Sequence, residues 1–528
     1  MHTNPLPTTP AMRSFIVAIF GIFASIAVPT TSFAATFEPV FWSGQEVAVE
    51  GDVMQVVRAD NMVLGEDGTV AARVWLVPKS TENGYASFTE ATACYRSGVA
   101  TLLAVTGHDL GDEGKAGRLG NSLFVDADGT VVFEARTPST GSASGWYSFD
   151  GAATKRVVPP GLSAESAEGW SIAGRDSGGR TVWRGPGGEV VIANGGSSFE
   201  AFVPGEPAPG FRGDIEFGDL ISLELGPGDL AVARASVGGT GIHRYTTAMW
   251  LLEGSSVTLI AGPGVLAPGD PCPGFGEERS GRISGELEDP MVLADGTVWV
   301  LARTPGRRGV FLRWAGGSWS PVDFTVYALI DGAWSLQASA DIARVIRKGQ
   351  LPDTWTCGVG FGVESSLVPL NDGLVVARMT EWGQSGACRL SPPVERGTWV
   401  LSSSGVALQR VDVPDMATWA MHASGAGFVL EGKPRVNQIT FWNPQGARTT
   451  TYLPDEIQLP DGAKRRVSFH QIAVRSSAPS SGASKRRDRV WPDGGLMIDS
   501  SGATVQGFDL APEPGLYDQG AVICVVRP

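Results

Sequence analysis

A pair of linked hairpins, repeated along the chain, constrains this sequence more than any other feature. Leu287 to Trp319, LEDPMVLADGTVWVLARTPGRRGVFLRWAGGSW, contains the unit in full. Met291 to Leu293 lead into a turn at Ala294-Asp295-Gly296, and Val298 and Val300 alternate with Trp299 on the way out. Val310 to Trp314 then turn at Ala315-Gly316-Gly317 and return through Trp319. Asp-Gly and Gly-Gly between apolar runs are strong hairpin signals, because tight turns of this kind need φ > 0. Two linked hairpins predict a four-stranded antiparallel sheet.

The same pattern recurs at Met62–Val105, Ser122–Val158, Trp170–Ala193, Leu220–Gly262, Ser366–Val411 and Trp419–Leu453, with further strands at Arg489–Phe508 and Ala521–Val526. Turn glycines Gly68, Gly129, Gly188, Gly228, Gly296, Gly373 and Gly427 stand 40 to 77 residues apart. Four short strands per repeat of about 60 residues predict an all-β fold, a β-propeller of about seven blades with eight as the alternative. Phe41 to Val47 reads as a hairpin without a partner, and the C-terminus has surplus strands. Together they predict a ring closed by both termini, which removes two exposed sheet edges. A pair of β-sandwiches is the competing architecture.

The expected layout is a signal peptide at 1–34 and one propeller domain at 35–528. Arg13 precedes the apolar run Phe15 to Val28, and Pro29 to Ala34 supply a small-residue cleavage region. Cleavage is expected after Ala34, with Ala35 as the alternative, giving a secreted or periplasmic protein. The apolar run of about 14 residues is short for a span of ~20, so no integral membrane span is expected. A net charge of −14 argues against nucleic acid as a partner. With 42% hydrophobic residues and 16 Trp the chain can fill a core, and a monomer is expected. Trp75, Trp146, Trp183, Trp250, Trp314 and Trp399 fall on strands, which points to packing between blades.

Five cysteines are present: Cys94, Cys272, Cys357, Cys388 and Cys524. Export permits disulfides. Cys357 and Cys388 flank one predicted hairpin and are expected to pair, with Cys272–Cys357 as the competing bridge. A helix is predicted over Asp341–Lys348, inside a rim insertion spanning 325–357. Residues 475–489, RSSAPSSGASKRRDR, read as a flexible polar loop, and Lys464-Arg465-Arg466 as a solvated basic stretch.

Gly262 to Phe311 resembles a family of secreted bacterial proteins built from tandem Asn-x-x-Gly…Ala-Phe (NxxGxxxAF) repeats. Ala267-Pro268-Gly269 precedes PMVLADGTVWVLA, and Ala208-Pro209-Gly210 precedes LISLELGPGDLAVA. The family's Asn is replaced by Gly65, Asp126 and Leu293, and its Phe survives at Phe133. The turns also look like the Asp-box and DGxxW turns of other propellers. Both resemblances imply a propeller and neither implies a chemistry.

Asp176-Ser177-Gly178-Gly179 matches the nucleophile loop of trypsin-like proteases. A nucleophilic Ser needs a base and an orienting carboxylate, and His108 lacks the flanking motif, so this is read as a turn. Asp109, Asp112 and Glu113 in the loop HDLGDEG can offer oxygens to Ca²⁺, but the spacing lacks the alternation of an EF-type loop. No other cofactor is implied. With five His in the chain and no shared position among them, a binding or scaffold propeller for a protein or glycan leads over a propeller hydrolase or lyase with a site at the channel mouth. Long loops on a rigid scaffold are where binding usually resides. The insertions 279–288, 325–357 and 380–397 are therefore the expected binding segments, with Arg279, Arg282, Trp334, Trp355, Trp382 and Arg389 as candidate contacts.

Overall fold

The computed structural model describes residues 35–79, 88–140, 144–195, 197–211, 214–239, 247–261 and 290–303. From 309 onward it describes the strands named below together with 422, 424–426, 443, 453–463, 498–503 and 528. One five-residue turn recurs and explains the Asp-Gly-Thr signature. In Gly65–Thr69 the first N–H donates to the fifth carbonyl (2.8 Å) and the fourth N–H to the first carbonyl (3.0 Å). The fourth residue, Gly68, has φ 82°, a conformation open to Gly and costly for other residues. Asp67 Oδ1 accepts the Thr69 N–H at 2.9 Å, so Asp, Gly and Thr each have a separate duty. Turns 126–130, 176–180, 293–297, 422–426 and 499–503 repeat the two backbone bonds.

Turns 126–130, 176–180, 293–297 and 422–426 join the first two strands of their sheets, 65–69 joins the second and third strands of the first sheet, and 499–503 leads into the third strand of the last. After the N-terminal strand β1 (Thr36–Trp42), the first sheet contains β2 (Glu46–Val49), β3 (Asp52–Leu64), β4 (Val70–Pro78), β5 (Thr89–Arg96) and β6 (Val99–Val105) in sequential order. The second is β7 (Arg118–Val125) to β10 (Thr154–Val157), through β8 (Val131–Arg136) and β9 (Gly145–Phe149). The third is β11 (Ser171–Arg175), β12 (Thr181–Arg184), β13 (Val190–Asn194) and β14 (Ser197–Phe202). The fourth is β15 (Glu216–Leu225), β16 (Leu230–Gly238), β17 (Thr247–Glu253) and β18 (Ser256–Ala261). The fifth is β19 (Met291–Val292), β20 (Val298–Arg303), β21 (Gly309–Ala315) and β22 (Ser318–Pro321).

A two-stranded sheet, β23 (Phe324–Ile330) with β24 (Ala333–Ala340), precedes the sixth. That sheet contains β25 (Val359–Gly360), β26 (Leu367–Pro369), β27 (Val375–Glu381), β28 (Gly397–Leu401) and β29 (Ala407–Val411), with β25 and β26 both on β27. The seventh is β30 (Thr418–Met421), β31 (Gly427–Glu431), β32 (Gln438–Trp442) and β33 (Arg448–Tyr452). The eighth is β34 (Glu456–Gln458), β35 (Lys464–Gln471), β36 (Thr504–Leu510) and β37 (Gly520–Arg527), with the N-terminal β1 (Thr36–Trp42) paired to β37. The fold is therefore a β-propeller. Among the described residues its blades number eight, the larger of the two expected counts.

β1 closes the ring: Phe41 lies opposite Ile523 and Trp42 opposite Val522. The expected Phe41–Val47 hairpin is not formed. Ser43 and Gly44 instead carry the chain out of the last blade, and Glu46–Val49 pairs within the first. Apolar cores join neighbouring sheets face to face. Val40, Phe41, Ile523 and Val525 pack with Met54, Val56 and Val74 of the first blade. Trp146 meets Trp183 between the second and third, and Phe202 and Trp250 sit together between the third and fourth. Trp146, Trp183 and Trp250 are buried and serve packing as expected, while Trp75 is half-buried.

Several other expectations meet the structure here. Part of the 325–357 insertion forms the paired strands β23 and β24. Lys464-Arg465-Arg466 is strand β35, paired with β34, and Arg465 is buried, so the solvated-loop reading of that stretch is corrected. Cys94 and Cys524 are buried free thiols. Ala34, the 341–348 helix, the 475–489 loop and Cys272, Cys357 and Cys388 lie outside the described residues. Among the described residues no helix is long and apolar enough to cross a membrane.

Candidate functional site: the loop end of the ring

Strand direction divides the connections into two sets. In the four-stranded blades the first-to-second and third-to-fourth turns share one end of the ring, as do the β3–β4 and β5–β6 turns of the five-stranded first blade. The second-to-third loops and the links between blades share the other. The short glycine turns 65–69, 126–130, 176–180, 293–297 and 422–426 thus occupy one end, the turn end, whereas 185–189 lies at the other. The connections 262–290, 322–358 and 382–396 all leave from the loop end, because they follow β18, β22 and β27.

Polar side chains at the turn end hold turns to one another. Arg175 Nε and Nη2 grip Asp126 at 2.8 and 2.6 Å, tying the third blade to the second. Arg180 pairs with Asp176 at 3.1 Å and reaches the carbonyls of Gly226, Gly228 and Leu230 of the fourth. Arg96 donates to the Asp128 carbonyl at 2.9 Å and lies 3.4 Å from Asp67. His422 Nε2 stands 2.8 Å from Glu66 Oε1, and Glu66 Oε2 accepts the Ser500 N–H at 3.1 Å. Three blades meet in that contact. Ser177 sits within turn 176–180, where its carbonyl accepts the Ala127 N–H; the protease resemblance of this tetrapeptide reduces to a turn.

The loop end has different chemistry. Residues 106–117 connect the first and second blades there. Glu113 pairs with Arg156 at 3.5 Å, and the Asp109 backbone N–H donates to Glu50 at 3.2 Å. Asp112 lies on the 3-10 turn Gly111–Glu113. His108 Nδ1 is 3.0 Å from Glu50 Oε2. That contact, with the Asp109 N–H, holds the Glu50 carboxyl below its ordinary range. Among the described residues no group of three His, Cys, Asp or Glu is placed to hold a metal ion.

Beside this loop lies a charged junction that sequence reading missed. On the face of the first blade turned toward the second, Val63, Ala71 and Cys94 form apolar packing near the turn end. Further along the same strands the face changes. Arg58 and Asp60 on β3, Arg73 and Trp75 on β4, and Glu90 on β5 occupy it, with Arg58 opposite Trp75, Asp60 opposite Arg73 and Trp75 opposite Glu90. The Arg58 and Arg73 guanidinium carbons lie 5.4 and 5.2 Å from the Trp75 ring centroid, within cation–π range. Arg73 pairs with Glu90 and donates to Asn121 Oδ1 of the second blade. Arg58 lies 3.5 Å from Asp60. Burial pushes the Asp60 carboxyl above its ordinary value, against the pull of Arg58 and Arg73 and with Glu90 adding to it.

Backbone irregularity marks the same place. The β3–β4 register shifts between Val56 and Arg58 and again between Asp60 and Val63, and β7 shifts between Leu119 and Leu123. Asn61 has φ 55° and its Nδ2 donates to the Asn121 carbonyl at 2.5 Å. Bulges re-aim side chains and gather beside functional sites. The one legible sign was RADN at 58–61, a polar run inside an apolar strand, but alternation alone does not say which blade it faces.

A shallow cleft between the second and third blades is lined by Trp146, Trp170, Trp183, Pro159 and Arg156. Arg156 Nη2 donates to the Ala164 carbonyl at 3.0 Å, so its guanidinium is engaged. Of the residues expected to contact ligand, Trp334 lies on β24 opposite Leu329. Arg279, Arg282, Trp355, Trp382 and Arg389 fall outside the described residues.

No protein-family profile matches the chain. No curated protein matches it either. Similar solved structures include the WD40 domain of SCAP from fission yeast, at 10% identity over 93% of this chain and 98% of that one, TM-score 0.34. A polysaccharide lyase of the PL25 ulvan lyase family is similar at 10% identity over 78% of this chain and 96% of that one, TM-score 0.29. The β-propeller domain of the trilobed protease from Pyrococcus furiosus is similar at 10% identity over 70% and 94%, TM-score 0.25. Similarity at this level carries no functional argument; the propeller assignment rests on the sheet order and strand pairing above.

Proposed function

We propose that this chain is a secreted or periplasmic β-propeller that binds a protein or glycan through the loop end of its ring. One observation carries the reading. Strand direction collects the long connections 262–290, 322–358 and 382–396 at the end that also bears the charged junction between the first two blades, while charged groups at the opposite end lock turns together. Export rests on the leader with Arg13, the apolar run Phe15 to Val28 and the small residues ending at Ala34. N-terminal sequencing of the exported protein checks it, with Ala35 expected first.

The binding test is a panel of immobilised glycans and proteins against the full chain. Variants then replace 382–396 or 262–290 with short Gly-Ser links. Loss of binding in folded loop-end variants is expected, with binding retained by the turn-end variant Glu66→Gln. The reverse pattern overturns the assignment. A hydrolase or lyase reading has one supporting observation, the carboxyl of Asp60 held above its ordinary value with Glu90 contributing. Turnover of any ligand from the panel, abolished by Asp60→Asn, would move the reading to catalysis.

A further inference from the structure

We infer that the junction of the first and second blades is a binding site for a carboxylate-bearing saccharide, with Arg58 taking the carboxylate. This rests on the loop-end reading and names a ligand class for it. Among the described residues, the second and third blades and the third and fourth meet face to face through apolar clusters, as Trp146 with Trp183 and Phe202 with Trp250. Here two arginines, two carboxylates and an asparagine take their place. Charges set between packed sheets carry a desolvation cost, and local departures from packing rules concentrate at functional sites.

The two arginines are not equivalent. Arg73 is engaged on three sides, by Glu90, Asn121 and the Trp75 ring, and its side chain is only 14% exposed. It serves as scaffold. Arg58 is 67% exposed, rests against Trp75 at 5.4 Å, and has Asp60 at 3.5 Å. Its guanidinium is thus oriented by the indole and largely open to solvent. A guanidinium fork matches a carboxylate with two parallel hydrogen bonds. Asp60, 24% exposed and beside it, supplies acceptor oxygens for the hydroxyls of the same sugar. β3 is the innermost strand of its sheet past the short β2 ladder, which ends at Gln55. A ligand held by Arg58 therefore lies toward the ring axis near the loop end, where a chain of sugars can enter.

The test is calorimetric titration of the full chain with oligogalacturonate, with a neutral galacto-oligosaccharide and a sulfated galactan as comparison arms. Binding of oligogalacturonate alone is expected. Arg58→Ala should weaken it by at least about tenfold, the scale of a lost charge-assisted pair, and Arg58→Lys should restore only part. Since Arg58 is mostly exposed, both variants should melt like the parent. Equal binding of the sulfated polymer overturns carboxylate recognition in favour of a general anion site. Equal binding of the neutral sugar, full affinity in Arg58→Ala, or no oligogalacturonate binding by the parent each overturns the inference. If the parent binds another ligand from the panel through its loops, the loop-end reading stands while this one falls.

Discussion

Truncating Phe41 to Ala should unlatch the ring. Phe41 is 2% exposed and lies in the core shared by the last and first blades, with Ile523 and Val525 on one side and Met54 and Val56 on the other. Its strand is held to β37 through six register pairs. Deleting a buried Phe side chain removes its transfer energy and leaves a cavity, together ~3–5 kcal/mol. A surface control is available in Val99, 62% exposed at the start of an outer strand, where Val→Ala should stay within about 0.5 kcal/mol. Urea unfolding followed by tryptophan fluorescence reads both, since the tryptophans lie on strands throughout the ring. If closure by β1 supports every blade, Phe41→Ala lowers the midpoint of a single transition. A variant that unfolds like Val99→Ala, or that loses only a minor early phase, would refute the claim that β1 is integral to the ring.

Asp126→Ala should cost ~3 kcal/mol, the low end for breaking a buried pair, because it leaves the Arg175 guanidinium, 13% exposed, with Thr181 alone, whereas replacing both partners with apolar residues should cost much less; a double-mutant cycle measures this. Gly129→Ala should destabilise more than Gly98→Ala, although both glycines have positive φ. A methyl at 129 meets Arg96 and Asp67, while at 98 it meets nothing; comparison of urea midpoints decides. Burial pushes the Cys94 thiol up to about 11 and raises Cys524 further, so both should resist a thiol reagent at pH 8 until the chain unfolds. The Asp60 carboxyl should titrate above 3.8, and Arg58→Ala should move it higher. With its folded value raised, Asp60 favours the folded state most when protonated; that contribution is lost as pH rises through the folded value. Carbon NMR of labelled aspartate checks this, and a midpoint below 3.8 contradicts it.

Local chemistry made the architecture legible from sequence. A turn such as Asp67-Gly68-Thr69 or Asp295-Gly296-Thr297 is specified within five residues: Gly adopts the positive φ and Asp caps the following amide. Period-two alternation around those turns then predicts paired strands, and their repetition predicts a propeller. Whatever depended on which blade meets which was not legible. The apparent hairpin at Phe41–Val47 was divided between the first and last blades, because strand β1 is paired nearly 490 residues away. His422 differs from Asp126 and Asp176 at the same turn position, yet its contact with Glu66 exists only because the ring brings the seventh blade's turn to the first. In isolation the acidic loop 109–113 shows only available carboxylates, whereas packing supplies Arg156 for Glu113. The charged junction is the clearest case. Arg58, Asp60, Arg73 and Glu90 lie on three strands, and only sheet register places them on one face, opposite Asn121 of the next blade. Turn chemistry acts over a few residues and can be read from them; charge pairing between blades is decided by the tertiary fold, which alone sets the neighbours each side chain meets.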